Sequence, residues 1–260
     1  MTVDFLDYIP MWAVFGTTVL LILVATEVGF RAGRKRSKTA YQDNEAQIIS
    51  MTSAQFALLA FILAFSFSMA ANHFNERKKI VLEETNAIET AYLRTRLVAG
   101  PESENIRALL LEYTGVRKNA GQKEKLADVL RESSELQAKI WYEIEQLAST
   151  GQATLYHSLL VQAVNDVFDV HQERISAGLR NRLHTTIWGV LYTVLMLSMT
   201  GVGFHFGIKG ARSVMHSAAL ALSFSMVLFL IADLDRPRSG VITSDNSSIA
   251  ELHERLSQYP

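Results

Sequence analysis

The sequence contains no cysteine among its 260 residues. That excludes a disulfide scaffold and a cysteine zinc site. Proline is scarce too: Pro101 is the only one between residues 76 and 182, so little interrupts helices there. Charge is missing from four long stretches. Residues 8–26 (19 residues), 46–75 (30), 183–208 (26) and 213–232 (20) hold no Asp, Glu, Lys or Arg. A helix needs about 20 apolar residues to cross the hydrocarbon core, so these runs predict four transmembrane helices. A soluble enzyme built on one ordinary core is excluded, although the averages of 49% hydrophobic and 20% charged residues resemble one. The formal net charge of -1 leaves no nucleic-acid footprint.

The first run is a permanent span, not a cleavable signal. A signal peptide begins with positive charge. Here Asp4 and Asp7 come first, and Arg31, Arg34, Lys35, Arg36 and Lys38 follow the run. Trp12 sits where an interfacial aromatic anchors a span. Glu27 and Arg31 are four apart and predict an ion pair at the inner end.

The expected fold is all-α: an integral membrane protein with four transmembrane helices and a helical extramembrane domain between the second and third. Residues 1–75 form the first hairpin, with spans at about 10–30 and 51–72. Residues 183–235 form the second, with spans at about 185–207 and 213–233, and 236–260 form a polar tail. The middle, 76–182, holds 15 of the 25 Lys/Arg and 16 of the 26 Asp/Glu. Its composition favours long helices. One helix continues from the second span to about Val98, where Gly100-Pro101 breaks it. Others run over about Glu102–Lys118 and Lys123–Ala148, and a last one leaves Thr154 and continues into the third span. Ile106, Leu109, Leu110, Tyr113 and Val116 form one buried helical stripe. The tail holds at most a short helix around Ile249–Leu256.

The second span carries the most information. Ala57, Ala60, Ala64, Ser68 and Ala71 recur at helical spacing, and small residues let a neighbouring membrane helix approach. Phe61 and Phe65 stand four apart beside them. Two readings are open for these phenylalanines: packed or lipid-facing side chains, or an apolar constriction that gates ions by dewetting. Ser66, Ser68 and Asn72 are the polar groups that replace part of an ion's hydration if they face a pore; otherwise they bond the preceding turn or a neighbouring helix. Beyond them, Glu76, Lys79 and Glu83 place both signs of charge on the helix, either at a vestibule or on a solvated face.

The stretch Phe65-Ser-Phe-Ser-Met-Ala-Ala-Asn-His-Phe-Asn-Glu-Arg-Lys-Lys-Ile80 resembles the end of the pore helix of bestrophin channels. Asn72, Phe74, Glu76, Lys78 and Lys79 carry the likeness. The stretches Glu83-Glu84-x-Asn86-Ala87-Ile88, Ala91-Tyr92-Leu93-Arg94 and Leu234-Asp-Arg-Pro-Arg-Ser-Gly240 resemble a bacterial membrane family described as bestrophin-like. The resemblance implies a homo-oligomeric ion channel, a pentamer in bestrophins, placed in the cell inner membrane as a multi-pass protein. Its partners are then inorganic ions, the lipid bilayer and further copies of itself. The family's three-residue apolar neck falls on Phe65, Phe61 and Ala57. Ala57 departs from the pattern and widens a ring at its level. His73-Phe74 stand where the family has paired aromatics. The family's acidic calcium cluster after the fourth span has no counterpart, so calcium control is not implied. Bestrophins keep the helical domain in the cytoplasm, whereas the basic loops Arg31–Lys38 and Lys209–Arg212 favour the opposite direction. The direction stays open.

Other polar clusters read as structural. Asp233 and Asp235 pair with Arg236 and Arg238 at a helix end, with cation binding the alternative. Asp166, Asp169, His171 and Glu173 read as a solvated helix face before a metal site. No histidines lie four apart, so no metal or cofactor is expected. Neither a Gly-x-Ser-x-Gly elbow nor a phosphate-binding Gly-rich loop is present, so the expected protein is not an enzyme and has no catalytic residues. A non-conducting membrane sensor or scaffold, its helical domain binding a ligand or partner, is the alternative to the channel.

Overall fold

The structure is a computed structural model. It describes residues 10–35, 45–122, 125–149, 154–179, 182–210, 214–236 and 246–258. Eight helices lie among them: α1 Met11–Arg34, α2 Glu45–Thr95, α3 Pro101–Arg117, α4 Leu126–Ser149, α5 Leu155–Leu179, α6 Thr185–Lys209, α7 Val214–Asp235 and α8 Ser247–Gln258. No strand occurs among the described residues. Four helices, α1, α2, α6 and α7, are long and apolar enough to cross a membrane. Helices suit that solvent because each satisfies its own backbone hydrogen bonds.

The described residues fall into two compact units, divided at Asn72/His73, Asn181/Arg182 and Arg236/Pro237. The first contains α1, α6, α7 and the apolar part of α2. Its tightest packing is glycine on glycine. A Cβ at Gly29 of α1 would lie 2.0 Å from the Thr200 carbonyl oxygen, and one at Gly33 would lie 2.2 Å from that of Phe204. The contact is reciprocal: a Cβ at Gly203 of α6 would lie 2.0 Å from the Thr26 carbonyl oxygen, and one at Gly207 would lie 2.2 Å from that of Phe30. Two Gly-x-x-x-Gly faces therefore meet backbone to backbone, the arrangement that compensates for the missing hydrophobic drive between helices in lipid. Thr18 Oγ1 and Tyr192 Oη, 2.8 Å apart, add a hydrogen bond between the same two helices. Phe15 packs edge-on against Phe229 of α7 at 6.3 Å, and Phe56 of α2 stacks on Phe224 of α7 at 6.0 Å.

The expected continuous helix from Thr154 into the third span is not found. α5 ends at Leu179, residues 182–184 are not helical, and α6 begins afresh at Thr185. The reason is local. The Leu183 N–H donates to the Asp235 carboxylate at 2.8 Å instead of to a helical carbonyl. His184, extended at φ -61° and ψ 140°, accepts the Thr186 N–H on Nδ1 at 3.3 Å and so caps α6. Asp235 thus anchors the start of the third span. Arg238, its expected partner, lies outside the described residues.

The second unit contains the polar part of α2 with α3, α4, α5 and α8. Ile88, Tyr92, Ile106, Leu110, Tyr113, Ile140, Leu160 and Val164 are buried in one core. The predicted α3 stripe holds: Ile106, Leu110 and Tyr113 are 0% exposed, with Leu109 and Val116 half-buried against them. The α2–α3 turn depends on Gly100 at φ 124°, a backbone region that side chains disfavour. Pro101 occupies the first helical position, where its missing N–H costs nothing. The tail contributes more than expected. α8 spans 12 residues and buries Ile249, Leu252 and Leu256, while Arg255 pairs with Glu89 at 3.0 Å.

The glycine seam yields a direct expectation. Gly29→Ala pushes a methyl into the Thr200 carbonyl, so the two backbones must separate, at a cost of roughly 1–3 kcal/mol. Gly16→Ala on the same helix meets nothing within 4 Å and costs nothing. Thermal unfolding in detergent, comparing the two variants, checks this; equal stabilities would remove the seam from the account.

Candidate pore helix

α2 has 51 residues, about 75 Å at a rise of 1.5 Å per residue. Its two sides differ sharply. In the apolar part, Leu59, Leu63, Ser66 and Ala70 are buried, at spacings of three and four. In the polar part, Arg77, Ile80, Val81, Glu84, Ile88, Ala91 and Thr95 are buried at the same helical spacing.

Away from these residues most of α2 is uncovered, Leu58 and Phe67 included, and one line of exposed residues runs along the helix. Ala57, Phe61, Phe65, Ser68 and Asn72 are all exposed, Phe61 to 69% and Phe65 to 58%. Glu76 and Lys79 continue it as exposed residues and Glu83 is half-buried. Lys79 Nζ lies 3.2 Å from the Glu83 carboxylate, an i,i+4 pair that cancels two of the three charges. Asn75, Asn86 and Thr90 extend the stripe with uncharged polar groups.

One predicted pore-lining residue does not join this stripe. Ser66 is 0% exposed, and it stands two residues from Ser68, about half a turn round the helix. Its hydroxyl is enclosed by the bundle. The small residues Ala57, Ala60, Ala64 and Ser68 are exposed, so within one chain they receive no neighbouring helix. Gly29, Gly33, Gly203 and Gly207 do that work, and their fourfold spacing in two spans was the available signal.

The covered side of α2 holds a buried charge cluster that residue patterns did not expose. Glu84, 0% exposed, accepts from Arg117 Nε at 2.6 Å and from Arg174 Nη1. Arg174 also donates to Asn246 Oδ1 at 2.7 Å, just before α8. Next to this cluster Tyr113 Oη and His171 Nδ1 lie 2.9 Å apart, and Gln137 Nε2 donates to the same tyrosine at 3.4 Å. His171 is 1% exposed, so it does not share a solvated face with exposed Asp166, Asp169 and Glu173. No group of metal-ligating side chains occurs among the described residues. Burial, reinforced by Arg117 and Arg174 and only partly offset by Glu84, pushes His171 from 6.5 down to about 4.

These features define a helical multi-pass membrane protein. Structural neighbours give the fold. A crystallised variant of a bacterial bestrophin homologue from Klebsiella pneumoniae matches with a TM-score of 0.66 at 16% identity, covering 95% of this chain and 97% of that one. A second structure of that homologue matches with a TM-score of 0.65 at 17% identity, covering 95% and 98%. A crystallised membrane protein variant matches at 0.63 and 15% identity, covering 95% and 97%. No curated protein matches the chain. The Bestrophin-like domain family matches residues 16–247, and the chain belongs to that family.

His171 sets a pH dependence. Its folded-state pKa lies below the unfolded value, so the unfolded chain binds its proton first as pH falls. Stability contributed by neutral His171 is complete above about pH 6.5 and drains away toward pH 4, by about 3 kcal/mol in total. Denaturation midpoints at pH 7 and pH 4.5 measure the slope. His171→Gln flattens it while lowering stability at pH 7; an unchanged slope would assign the effect to other groups.

Proposed function

We propose that the chain assembles as a homo-oligomeric ion channel, a pentamer, in the bacterial inner membrane. In this reading α2 of each copy lines the pore. Ala57, Phe61 and Phe65 form the narrow region, Ser68 and Asn72 offer polar groups beyond it, and Glu76, Lys79 and Glu83 flank the vestibule. Residues 76–182 form an extramembrane helical domain. Ser66 is not part of the lining.

The single observation that carries the reading is the uncovered stripe on α2: two bulky phenylalanines at 69% and 58% exposure, followed at helical spacing by polar groups. A helix facing lipid along that side gains nothing from Ser68 and Asn72 in line with its phenylalanines. A helix facing a central passage does, because an apolar ring blocks ions by excluding water and polar groups beyond it ease their rehydration. Family membership and the fold of the Klebsiella pneumoniae homologue support the same reading.

Ion flux into liposomes and single-channel current from the purified protein test it. Phe61→Ala and Phe65→Ala each remove a ring from the constriction, and both are expected to raise conductance or open probability. Currents identical to wild type would deny these residues a gating role. Absence of any flux would favour the non-conducting sensor.

Selectivity offers a second measurement. Lys79→Gln removes the cation paired with Glu83 and leaves Glu76 and Glu83 as the charges of the stripe, and an acidic ring favours cations. The reversal potential in a salt gradient is expected to shift toward the cation equilibrium potential; an unchanged reversal potential would place Lys79 away from the ion path.

A further inference from the structure

The first unit contains a groove of about 640 Å³ between α1, α6 and α7, within the roughly 300–1,000 Å³ typical of small-molecule sites. It lies where α1 and α6 end and α7 begins. Its walls are apolar, with Leu23, Val28, Phe206 and Ala218 among them, and Glu27 and Arg31 stand in its lining. The same end of the unit is basic: Arg34, Lys35 and Lys209 are exposed there, at the ends of α1 and α6.

We infer that this groove holds an anionic glycerophospholipid, one acyl chain against the apolar walls and the phosphate on Arg31. Three observations converge on that occupant. The groove lies among helices long and apolar enough to span the bilayer, so acyl chains are its natural solvent. It is situated at their ends, where headgroups lie. Its cationic member is a guanidinium 75% exposed, whose Nε lies 2.9 Å from Glu27. The terminal nitrogens are left to fork onto a phosphate, a geometry guanidinium suits and ammonium does not. Glu27 competes with that phosphate and thereby tunes the affinity. A neutral lipid gains the apolar contact but nothing from Arg31 or the surrounding cations.

The test uses the purified full chain, with phosphatidylglycerol and phosphatidylcholine added separately and bound lipid counted by native mass spectrometry. Wild type is expected to retain phosphatidylglycerol in preference. One basic contact to an anionic headgroup is worth roughly fivefold in affinity, so Arg31→Gln lowers phosphatidylglycerol retention by about that factor and leaves phosphatidylcholine unchanged. Glu27→Gln moves the other way, because it frees the guanidinium. Ala218→Trp fills the groove and reduces both lipids. Arg31 is largely exposed, so its variant folds even if the tryptophan variant does not, and it decides the matter alone. Equal retention of the two lipids by wild type overturns the proposal, as does a wild-type preference that survives Arg31→Gln. Loss of oligomer mass in Ala218→Trp with lipid retention intact would instead give the groove to a neighbouring copy of the chain.

Discussion

A carboxylate buried to 0% exposure cannot stand without cations, and Glu84 has two. Removing Glu84 would leave the two guanidinium groups facing each other without a counter-charge in an apolar interior, which typically costs 3–5 kcal/mol. Arg117 brings the end of α3 and Arg174 brings α5. The second bond of Arg174, to Asn246, brings the residue ahead of α8. The helical unit is organised round this one acid of α2. Burial of Ile88 and Tyr92 on the same helix then encloses it in aliphatic and aromatic side chains. The orientation of the polar part of α2 follows, because Glu84 must face inward. Asn86 and Thr90, on the other side of the helix, are left uncovered.

The apolar unit solves a different problem. Within lipid, burying a leucine against a neighbour gains little, since the solvent is as apolar as the partner. Close backbone approach supplies dispersion contacts instead. Gly29, Gly33, Gly203 and Gly207 make that approach between α1 and α6. The stripe Ala57, Ala60, Ala64 and Ser68 on α2 is also built of small residues, but it is exposed within the chain.

Legibility followed locality. The four spans were readable because a missing charge is a property of each residue and its neighbours. Helix boundaries at Pro101 and near Lys118 were readable for the same reason. The break before α6 was not, because it depends on Leu183 donating its N–H to Asp235, 52 positions along the chain. The burial of α8 has no local signature, because Ile249, Leu252 and Leu256 are a sparse stripe in a polar tail and need the rest of the unit to receive them. At the candidate site, the spacing of Phe61, Phe65, Ser68 and Asn72 placed them on one side of a helix. Ser66 shares their residue type, yet rotation per residue already separates it. Glu84 was visible only as one acid in a run, since its partners lie 33 and 90 positions away.

The glycine contact also restricts how this molecule changes shape. Flexible side chains let packed helices slide by small steps, because rotamers absorb the displacement. Where carbonyl oxygens nearly touch the facing Cα atoms, no rotamer exists to absorb anything. Sliding α6 along α1 by one turn brings one glycine into the place of the other but leaves the second contact to a residue that carries a side chain, such as Met199, and the helices must part. The first and third spans therefore travel together, and any change of shape in this unit has to come from elements that meet them through softer surfaces, such as the edge-on contact of Phe15 with Phe229 of α7.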